Sequence, residues 1–446
     1  MKSGNEEIRN YVSHYQALGG ARKGTEWAEP MRKRALARFS ELGFPSPKEE
    51  EWRHTNVAPL KKYPFGPTGG APASAVDGSA VRGGLFGDKA SAELVFLNGR
   101  FAKELSRTGS LPEGVIVESL GEAMVSRRPL VEDHLGRYAD YETRSFAALN
   151  TAFLSEGAFI RLPENARLEG PVHILHLALP EEGPFVVHPR TLVIAGAGSE
   201  ASLIETYAGP EGFAYFTNAV AEIAVGESAS IRYYRVQREG EEAYHMGTIH
   251  VSQERSSRFR SLNLSFGGRI ARTESNATLG GEGIETILDG LYVGRGEQLI
   301  DNHTSIDHAE PRSESHELYK GILTDRARGV FRGKITVRRD AQKTDAKQTN
   351  QTLLLSDEAT IHSKPQLEIY ADDVKCTHGA TVGQLDAEAV FYLRSRGIDE
   401  EAARTMLVFA FASDLVGRVD FVPLRESLED LLVKRLPLGE KIRGAR

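Results

Sequence analysis

The sequence has 446 residues, 40% hydrophobic and 26% charged, which is typical of a folded soluble protein of roughly two to four domains. Lys and Arg total 55 and Asp and Glu total 62, and this net charge of −7 disfavours a general nucleic-acid binder. The single cysteine, Cys376, excludes an intrachain disulfide, a Cys-rich zinc site and an iron–sulfur cluster held by this chain's thiolates alone.

The start of the chain, MKSGNEEIRNYVSHY, is too polar for a secretory signal. The longest strongly apolar run, Met406 to Ala412, is far shorter than the ~20 residues that span a bilayer. We therefore expect no membrane insertion and a cytoplasmic location.

Residues 1–62 are predicted to form an N-terminal helical domain. Its clearest helix covers 30–42, where apolar residues recur at helical spacing before Gly43, a plausible stop. Residues 63–92 are rich in glycine and proline and are predicted to be a linker.

Residues 93–157 are predicted to be a mixed α/β segment that leads into the core. The stretch 94–101 (LVFLNGRF) predicts a strand that turns at Asn98-Gly99. Helices are predicted at 116–127 and 143–155.

Short alternating strands dominate residues 158–386, the predicted core, and few helices separate them. The pieces GSEASL and GESASI begin at Gly198 and Gly226, which suggests a repeat of 28 residues. A parallel β-helix repeats such coils, but a sandwich could show the same pattern. Because a β-helix has open ends, we expect a helical module to cover at least one of them.

Residues 387–446 are predicted to form a C-terminal helical domain. A first helix ends near Gly397, Asp399 can cap the second, and Pro423 can open the third.

Two glycine motifs resemble nucleotide-binding sequences but lack their required context. Gly196-x-Gly198 precedes a predicted strand, whereas a dinucleotide fingerprint needs a helix there. The stretch from Gly329 to Lys334 has three residues between its glycines instead of the four of a Walker A motif, and no Ser or Thr follows the lysine. If ATP hydrolysis matters for this protein, a partner must supply it.

Two segments carry candidate metal ligands. Residues 301–317 (DNHTSIDHAEPRSESHE) place three histidines among carboxylates, but their spacing fits no compact metal motif, so a polar ladder is the preferred interpretation. Cys376 and His378, two residues apart on a predicted strand, would point to the same side, ~7 Å apart. They could contribute to a cluster shared across a subunit interface, or they could form a buried, inert pair.

The region from DNHTSIDHAEP to YADDVKCTHGATVGQLD, together with EEEWRHT, LVFLNGRF, LNTAFLSEGAFIRLP and FYLRSRGIDEEAARTMLVFAF, resembles the SufD family of the SUF iron–sulfur cluster assembly machinery. The resemblance covers most of the chain and is densest from 300 to 412. The Gly/Pro-rich stretch at 63–87 contains no motif of that family.

This resemblance implies a fold and a set of partners. The fold would be mainly β, a right-handed parallel β-helix between N- and C-terminal helical domains. The partners would be a SufB-type paralogue, forming a heterodimer, and a SufC-type ATPase docked on the C-terminal helices near Met406, Phe409 and Phe411. Sulfur would arrive from a cysteine desulfurase through SufE- or SufU-type carriers.

The resemblance also implies a non-catalytic scaffold that binds no cofactor tightly by itself. A transient iron–sulfur cluster would form at the SufB interface, with His378 as the candidate ligand or proton-handling group and Cys376 in support. The isolated chain could form a homodimer, and neither nucleic acid nor a membrane is an expected partner.

Three alternatives remain open at this stage. A SufB-type chain that receives sulfur itself would need several cysteines. A β-helix carbohydrate enzyme would need a suitable carboxylate pair, but Asp372 and Asp373 are adjacent and would face opposite sides of a strand. A purely structural partner of SufB, with no ligand role, cannot be separated by sequence from the cluster-ligand interpretation.

Overall fold

The computed structural model describes residues 4–17, 23–69, 81 and 83–436. Its core is a parallel β-helix, in which successive strands alternate between two long sheets that face each other. The predicted fold class, a mainly β chain with N- and C-terminal helices, is therefore confirmed.

The strands are short, between two and eleven residues long. They are β1 (Gly66–Pro67), β2 (Ala92–Leu97), β3 (Arg100–Phe101), β4 (Arg107–Thr108), β5 (Ile116–Ser119), β6 (Gly157–Leu162), β7 (Val172–Leu177), β8 (Phe185–Val187), β9 (Arg190–Ala195), β10 (Glu200–Ala208), β11 (Tyr215–Val225), β12 (Ser230–Arg238), β13 (Tyr244–Gln253), β14 (Arg258–Ser265), β15 (Ile270–Leu279), β16 (Glu285–Gly294), β17 (Leu299–His308), β18 (Glu314–Leu323), β19 (Arg328–Val337), β20 (Asp345–Leu354), β21 (Thr360–Ile369) and β22 (Lys375–Gly383).

The helices lie before the core, at its start and after it. They are α1 (Gly4–Ala17), α2 (Glu29–Leu42), α3 (Leu120–Ser126), α4 (Arg128–Glu132), α5 (Ser145–Ala152), α6 (Ala387–Ser395), α7 (Glu400–Val416) and α8 (Val422–Arg435), with short 3-10 turns at Glu26–Ala28, Glu50–Trp52, Ala58–Lys62, Gly87–Lys89 and Lys103–Leu105.

The first sheet has the order β21-β19-β17-β15-β13-β11-β9-β6-β5, and the second has the order β22-β20-β18-β16-β14-β12-β10-β7-β2-β3. All the pairings among the long strands are parallel. In the described part of the chain, antiparallel pairs occur only near the start, at β2 with β3 and β4 and at β5 with β6. Each coil of the β-helix thus adds one strand to each sheet.

The pairing register corrects the repeat length expected from sequence. Glu200 pairs with Ser230, so this coil contains 30 residues. The predicted 28-residue match of Gly198 with Gly226 is therefore out of register by two residues; Gly196 is the glycine that precedes β10 at the position that Gly226 occupies before β12. Coils of a β-helix vary in their turns, so similar turn sequences do not fix the register.

The interior of the β-helix contains the side chains of alternate residues from both sheets. Ile223 and Val251 come from the first sheet and Leu203, Ile231 and Leu288 from the second, and all five belong to one buried cluster. Because side chains alternate across a strand, the intervening residues face outward.

The N-terminal helices pack against the outer face of the first sheet. Phe39 of α2 and Phe146 of α5 share a buried cluster with Phe216, Tyr244 and other outward side chains of that sheet. Phe65 belongs to the same cluster, and Gly66–Pro67 pair with β8, so the beginning of the Gly/Pro-rich segment is packed on the core. Residues 70–80 and 82 of that segment lie outside the described residues.

The C-terminal helices pack against the outer face of the second sheet. Val408 and Leu415 of α7 and Leu428 of α8 are buried against outward side chains such as Leu262 and Leu291. Residues 437–446 of the predicted C-terminal domain lie outside the described residues.

Within the described residues, no helical module is seen to cover an end of the β-helix, contrary to the expectation from sequence. The apolar contacts of the helices are with the sides of the sheets. Near the first strands the interior cluster is instead contacted by Phe101 of β3 and by Leu111 and Val115, which lie between β3 and β5. At the other end, β22 pairs with β20 alone within the part of the chain that the structure describes, and most of its residues are exposed.

Candidate functional site

The last strand, β22, ends the second sheet with one unpaired edge among the described residues. An unpaired edge presents backbone donors and acceptors to any strand that can lie beside it. The candidate site is this edge and the two potential ligands, Cys376 and His378, that β22 carries.

Cys376 lies at the boundary between interior and solvent. It pairs in register with Ala346 and packs against an apolar group that includes Ile335, Val337 and Leu367. Burial raises the pKa of the Cys376 thiol. A thiol with a raised pKa forms less thiolate and therefore reacts slowly as a nucleophile.

His378 shares the side of β22 on which Cys376 lies, as the spacing of two residues in a strand requires. It pairs in register with Gln348 of β20 and is exposed. The imidazole is therefore accessible in the isolated chain, next to a half-buried thiol.

His378 continues a column of inward-facing positions along the second sheet. Its neighbours in that column are Gln348 and then Glu317, each one strand further from the open end. The Gln348 amide donates a hydrogen bond to the Glu317 carboxylate, and both side chains are buried. Burial, among neutral hydrogen-bond partners, raises the pKa of Glu317 to about 7.

Large apolar side chains are exposed close to the candidate site in sequence. Ile369 ends β21 and Tyr370 follows it, Val382 lies on β22, and Phe391 and Tyr392 lie on α6. Phe391 is 70% exposed and Tyr370 is 62% exposed. Exposed apolar side chains that lie together in one patch mark surfaces that bind other proteins, whereas single ones are ordinary. The sequence does not reveal these residues, because alternation shows which side of a strand a residue occupies, not whether that side is covered.

The three residues proposed for ATPase docking differ in their exposure. Met406 is exposed, whereas Phe409 and Phe411 are partly buried against the cluster between α7 and the second sheet. The Phe411 ring lies 4.6 Å from the Lys320 ammonium, which also pairs with Asp414 at 2.6 Å. Met406 is thus the one of the three with a substantial free surface.

The histidine-rich stretch 301–317 does not converge on one point. Asp301 and His303 contact Arg272 on the outer side of the first sheet, whereas His308 faces the interior and contacts Ser315 at 2.9 Å. In the described residues no group of three or more His, Cys, Asp or Glu side chains could hold a metal ion. This supports the polar-ladder interpretation.

The two glycine motifs also occupy strands and turns rather than nucleotide sites. Gly196 and Gly198 form the turn between β9 and β10, and a strand follows them, as predicted. Gly329 and Gly333 lie within β19, which no helix follows. Asp372 and Asp373 lie in the turn between β21 and β22, where both are exposed.

Comparison with known proteins identifies the family. Residues 178–411 match the family described as SUF system FeS cluster assembly, SufBD core domain, and residues 6–174 match the SufBD protein N-terminal region. The chain therefore belongs to the SufBD family of iron–sulfur cluster assembly proteins.

Individual relatives agree along almost the whole chain. An iron–sulfur cluster assembly SufBD family protein of Synechocystis is 34% identical over 415 residues, which cover 91% of each chain. The iron–sulfur cluster assembly proteins SufD of Escherichia coli and Bacillus subtilis are 29% and 25% identical and are matched over 94% of their lengths. The resemblance to SufD inferred from the motifs is thereby confirmed.

No helix among the described residues is long and apolar enough to cross a membrane.

Proposed function

We propose that this chain is the scaffold subunit of a SUF assembly complex, in which the open end of its β-helix pairs with a SufB-type paralogue. A transient cluster forms at that interface, with His378 as its ligand or proton-handling group and Cys376 in support. The chain performs no catalysis itself, and a SufC-type ATPase docks on its C-terminal helices.

The observation that supports this proposal is that β22 combines an unpaired edge with two potential ligands. Its free edge, the exposed His378 and the half-buried Cys376 coincide at one end of the molecule. A second β-helix could extend the sheet by strand addition there, which would cover the ligands that the strand carries. The same edge could pair with a second copy of the chain when the paralogue is absent.

The chemistry of the chain favours a shared task over an independent one. One thiol and one imidazole cannot complete the ligand set of a cluster, so the partner must supply most of the sulfur ligands. The chain has no Walker A sequence, so hydrolysis of ATP must come from another subunit.

The C-terminal helices offer apolar surface for the ATPase. Phe391, Tyr392 and Met406 are exposed on α6 and α7, whereas the opposite side of α7 is buried on the core. A partner that covers these three side chains would remove apolar surface from water, and this favours association.

The test is the variant His378→Ala in the assembled complex, with Thr377→Ala as the matched control. Thr377 is the exposed neighbour on the opposite side of β22. We expect His378→Ala to assemble normally and to retain ATP hydrolysis, but to lose iron and cluster retention, measured by absorption spectra and iron content after anaerobic reconstitution. Thr377→Ala should behave as the wild type.

Two other results would decide against the ligand role. A weakened complex, with cluster loss in proportion, would mean that His378 only packs the interface. Normal assembly with wild-type cluster formation would exclude both roles.

A further inference from the structure

A cavity of about 530 Å³ lies between the N-terminal segment and the last strands of the first sheet. One wall is formed by residues 50, 51 and 53–55 of the EEEWRHT motif, and the other by residues of β17, β19 and β21. Small-molecule sites in proteins have volumes of ~300–1,000 Å³. The function proposed above for the edge of β22 makes no use of this cavity.

The register of the first sheet places a row of basic side chains along the cavity. His303 of β17 pairs with Arg332 of β19, and Arg332 pairs with Lys364 of β21. All three share the outward side of the sheet with Val330, which packs in the cluster of the N-terminal helices. Since arginine and lysine on adjacent strands repel each other, this row needs a negative partner.

Among the described residues, Glu50 is the carboxylate that pairs with both cations of this row. It accepts a hydrogen bond from Lys364 Nζ and lies 3.4 Å from Arg332 Nη2. Lys364 foremost, then Arg332 and Arg53, hold the pKa of Glu50 below its usual range. The Glu50 side chain is 64% exposed, and ion pairs of such exposed groups contribute little stability, so a stronger anion could displace it.

The other charged groups at the cavity leave a surplus of positive charge. Glu51 pairs with Arg144, and Asp301 nearby pairs with Arg272. Arg53 lines the cavity and is exposed, and among the described residues its guanidinium forms no ion pair or hydrogen bond. Three cations therefore share one carboxylate.

Arg332 has fewer partners than the fully buried arginines of this protein. Its side chain is 15% exposed, yet its one contact in the described part of the chain is the 3.4 Å contact with Glu50. The buried Arg190, in contrast, donates to Glu222 and Asn150 at 3.0 Å each. A guanidinium has five N–H donors in a planar fork that matches the oxygens of phosphate and carboxylate groups. Arg332 thus keeps donors available for an anion in the cavity.

Imidazole rings add hydrogen-bonding groups to the same cavity. His54 of the N-terminal segment stacks on His362 of β21, with ring centroids 3.9 Å apart, and His303 also lines the cavity. In the described residues no group of three or more His, Cys, Asp or Glu side chains could hold a metal ion. The surplus of positive charge likewise favours an anion over a metal cation.

We propose that this cavity binds a small polyanion, a phosphorylated or polycarboxylate molecule, whose negative groups are held by Arg53, Arg332 and Lys364. A cavity of this volume has room for more than one such group. Because β21 belongs to the last coil, the bound anion joins the N-terminal segment to the end of the β-helix that carries β22. The proposal does not depend on the role of His378.

The first experiment measures binding to the full-length chain by isothermal titration calorimetry, with pyrophosphate and citrate as probes. The buffer contains about 150 mM salt, which screens exposed charges beyond ~8 Å. We expect at least one probe to bind with a Kd below about 1 mM. Binding of pyrophosphate alone assigns phosphorylated ligands, binding of citrate alone assigns polycarboxylates, and binding of both assigns a site that recognises charge. If neither binds, the proposal is overturned.

The variants Arg53→Gln and Arg332→Gln locate the bound anion. Each should weaken binding at least about tenfold, because each removes charge-assisted hydrogen bonds. Arg53→Gln keeps the test decisive if Arg332→Gln does not fold, since Arg53 is exposed. The matched control is Arg328→Gln, because Arg328 is exposed on the same side of β19 but does not line the cavity. An equal loss in the control would mean that the anion is attracted by general surface charge, contrary to the proposal.

The variant Glu50→Gln should act in the opposite direction. The Glu50 carboxylate competes for the cations, so its removal should tighten binding at least about threefold. The control is Glu49→Gln, since the Glu49 Oε1 atom accepts from the Ser46 N–H at 2.8 Å and a glutamine keeps this bond. Unchanged or weaker binding by Glu50→Gln, or equal tightening in both variants, would overturn the assignment of the anion to this cavity.

Discussion

At the scale of single residues, the partners of a buried carboxylate decide its protonation. Burial acts to raise the pKa of Glu205, yet hydrogen bonds from His176, Thr191 and Tyr233 hold this pKa at about 2. Glu317 is equally inaccessible, but its partners are neutral, and burial raises its pKa to about 7. Two glutamates on one sheet therefore differ in protonation below about pH 7, where Glu205 is ionised and Glu317 is largely neutral.

The raised pKa of Glu317 predicts a pH-dependent stability. Folded protein binds a proton at Glu317 that unfolded protein has lost between about pH 4.5 and 7, so this group makes stability fall as pH rises through that window. We expect Glu317→Gln, which cannot ionise, to gain about 2–4 kcal/mol relative to the wild type between pH 5 and pH 8. Urea unfolding at both pH values measures this change.

The matched control is Glu314→Gln, since Glu314 lies on the same strand but is exposed. Its stability relative to the wild type should be the same at both pH values. If the stability of both variants relative to the wild type is unchanged between the two pH values, Glu317 is ionised throughout this pH range, although it is buried among neutral partners.

At the scale of elements, tyrosine rings of one strand pack against glycines of the neighbouring strand and so hold adjacent coils in contact. Tyr319 of β18 pairs with Gly290 of β16, and Tyr292 of β16 pairs with Gly321 of β18, so each ring lies over the glycine of the neighbouring strand. A Cβ on Gly321 would lie 2.3 Å from the Tyr292 ring. Both tyrosines are fully buried, which leaves the rings no room to move aside.

We therefore expect Gly321→Ala to destabilise the chain by roughly 1–3 kcal/mol, the usual cost of overpacking a core. Thermal unfolding measures it. The matched control is Gly379→Ala in β22, where a Cβ would meet nothing within 4 Å. If Gly321→Ala matched Gly379→Ala, the Tyr292 ring could not be packed as described.

The sequence predicted those elements whose signals are local. The helix at 30–42, the turn at Asn98-Gly99 and the cap by Asp399 are all present: α2 ends at Gly43, both turn residues have positive φ, and the Asp399 side chain accepts from the backbone N–H of Glu401. The helix predicted at 116–127 was partly wrong. Residues 116–119 form β5, because pairing with β6 outweighs their helical spacing.

The candidate site was only partly predictable. Cys376 and His378 lie on one strand, as their spacing indicated. How exposed each side chain is depends on how the neighbouring coil covers it, and the spacing does not show this. The column of Gln348 and Glu317 behind His378 joins residues about 30 positions apart. Since coil length varies, no local pattern could align them; the roles of Cys376 and His378 remain proposals.

At the scale of the whole molecule, Arg272 joins the N-terminal segment to the core. Its buried guanidinium forms ion pairs with Asp301 and with Glu274, stacks 3.8 Å from the Trp52 ring and donates to the Glu51 carbonyl at 3.1 Å. Burial alone would raise the pKa of Glu274, but nearby arginines, Arg272 foremost, hold it at about 2. One β-helix side chain thus holds the segment that follows α2.

Removing that cation should leave the buried Asp301 carboxylate without its arginine, whereas Glu274 keeps its ion pair with Arg144. We expect Arg272→Met to cost about 3–5 kcal/mol in urea unfolding and to make the N-terminal segment sensitive to limited proteolysis before the core unfolds. Removing the unpaired carboxylate as well, in the variant Arg272→Met with Asp301→Asn, should recover much of this loss because Glu274 still pairs with Arg144. The exposed pair of Arg255 with Glu227 supplies the control, and Arg255→Met should cost less than about 1 kcal/mol. If the double variant is as unstable as Arg272→Met, packing on Trp52, and not charge, joins the two parts of the molecule.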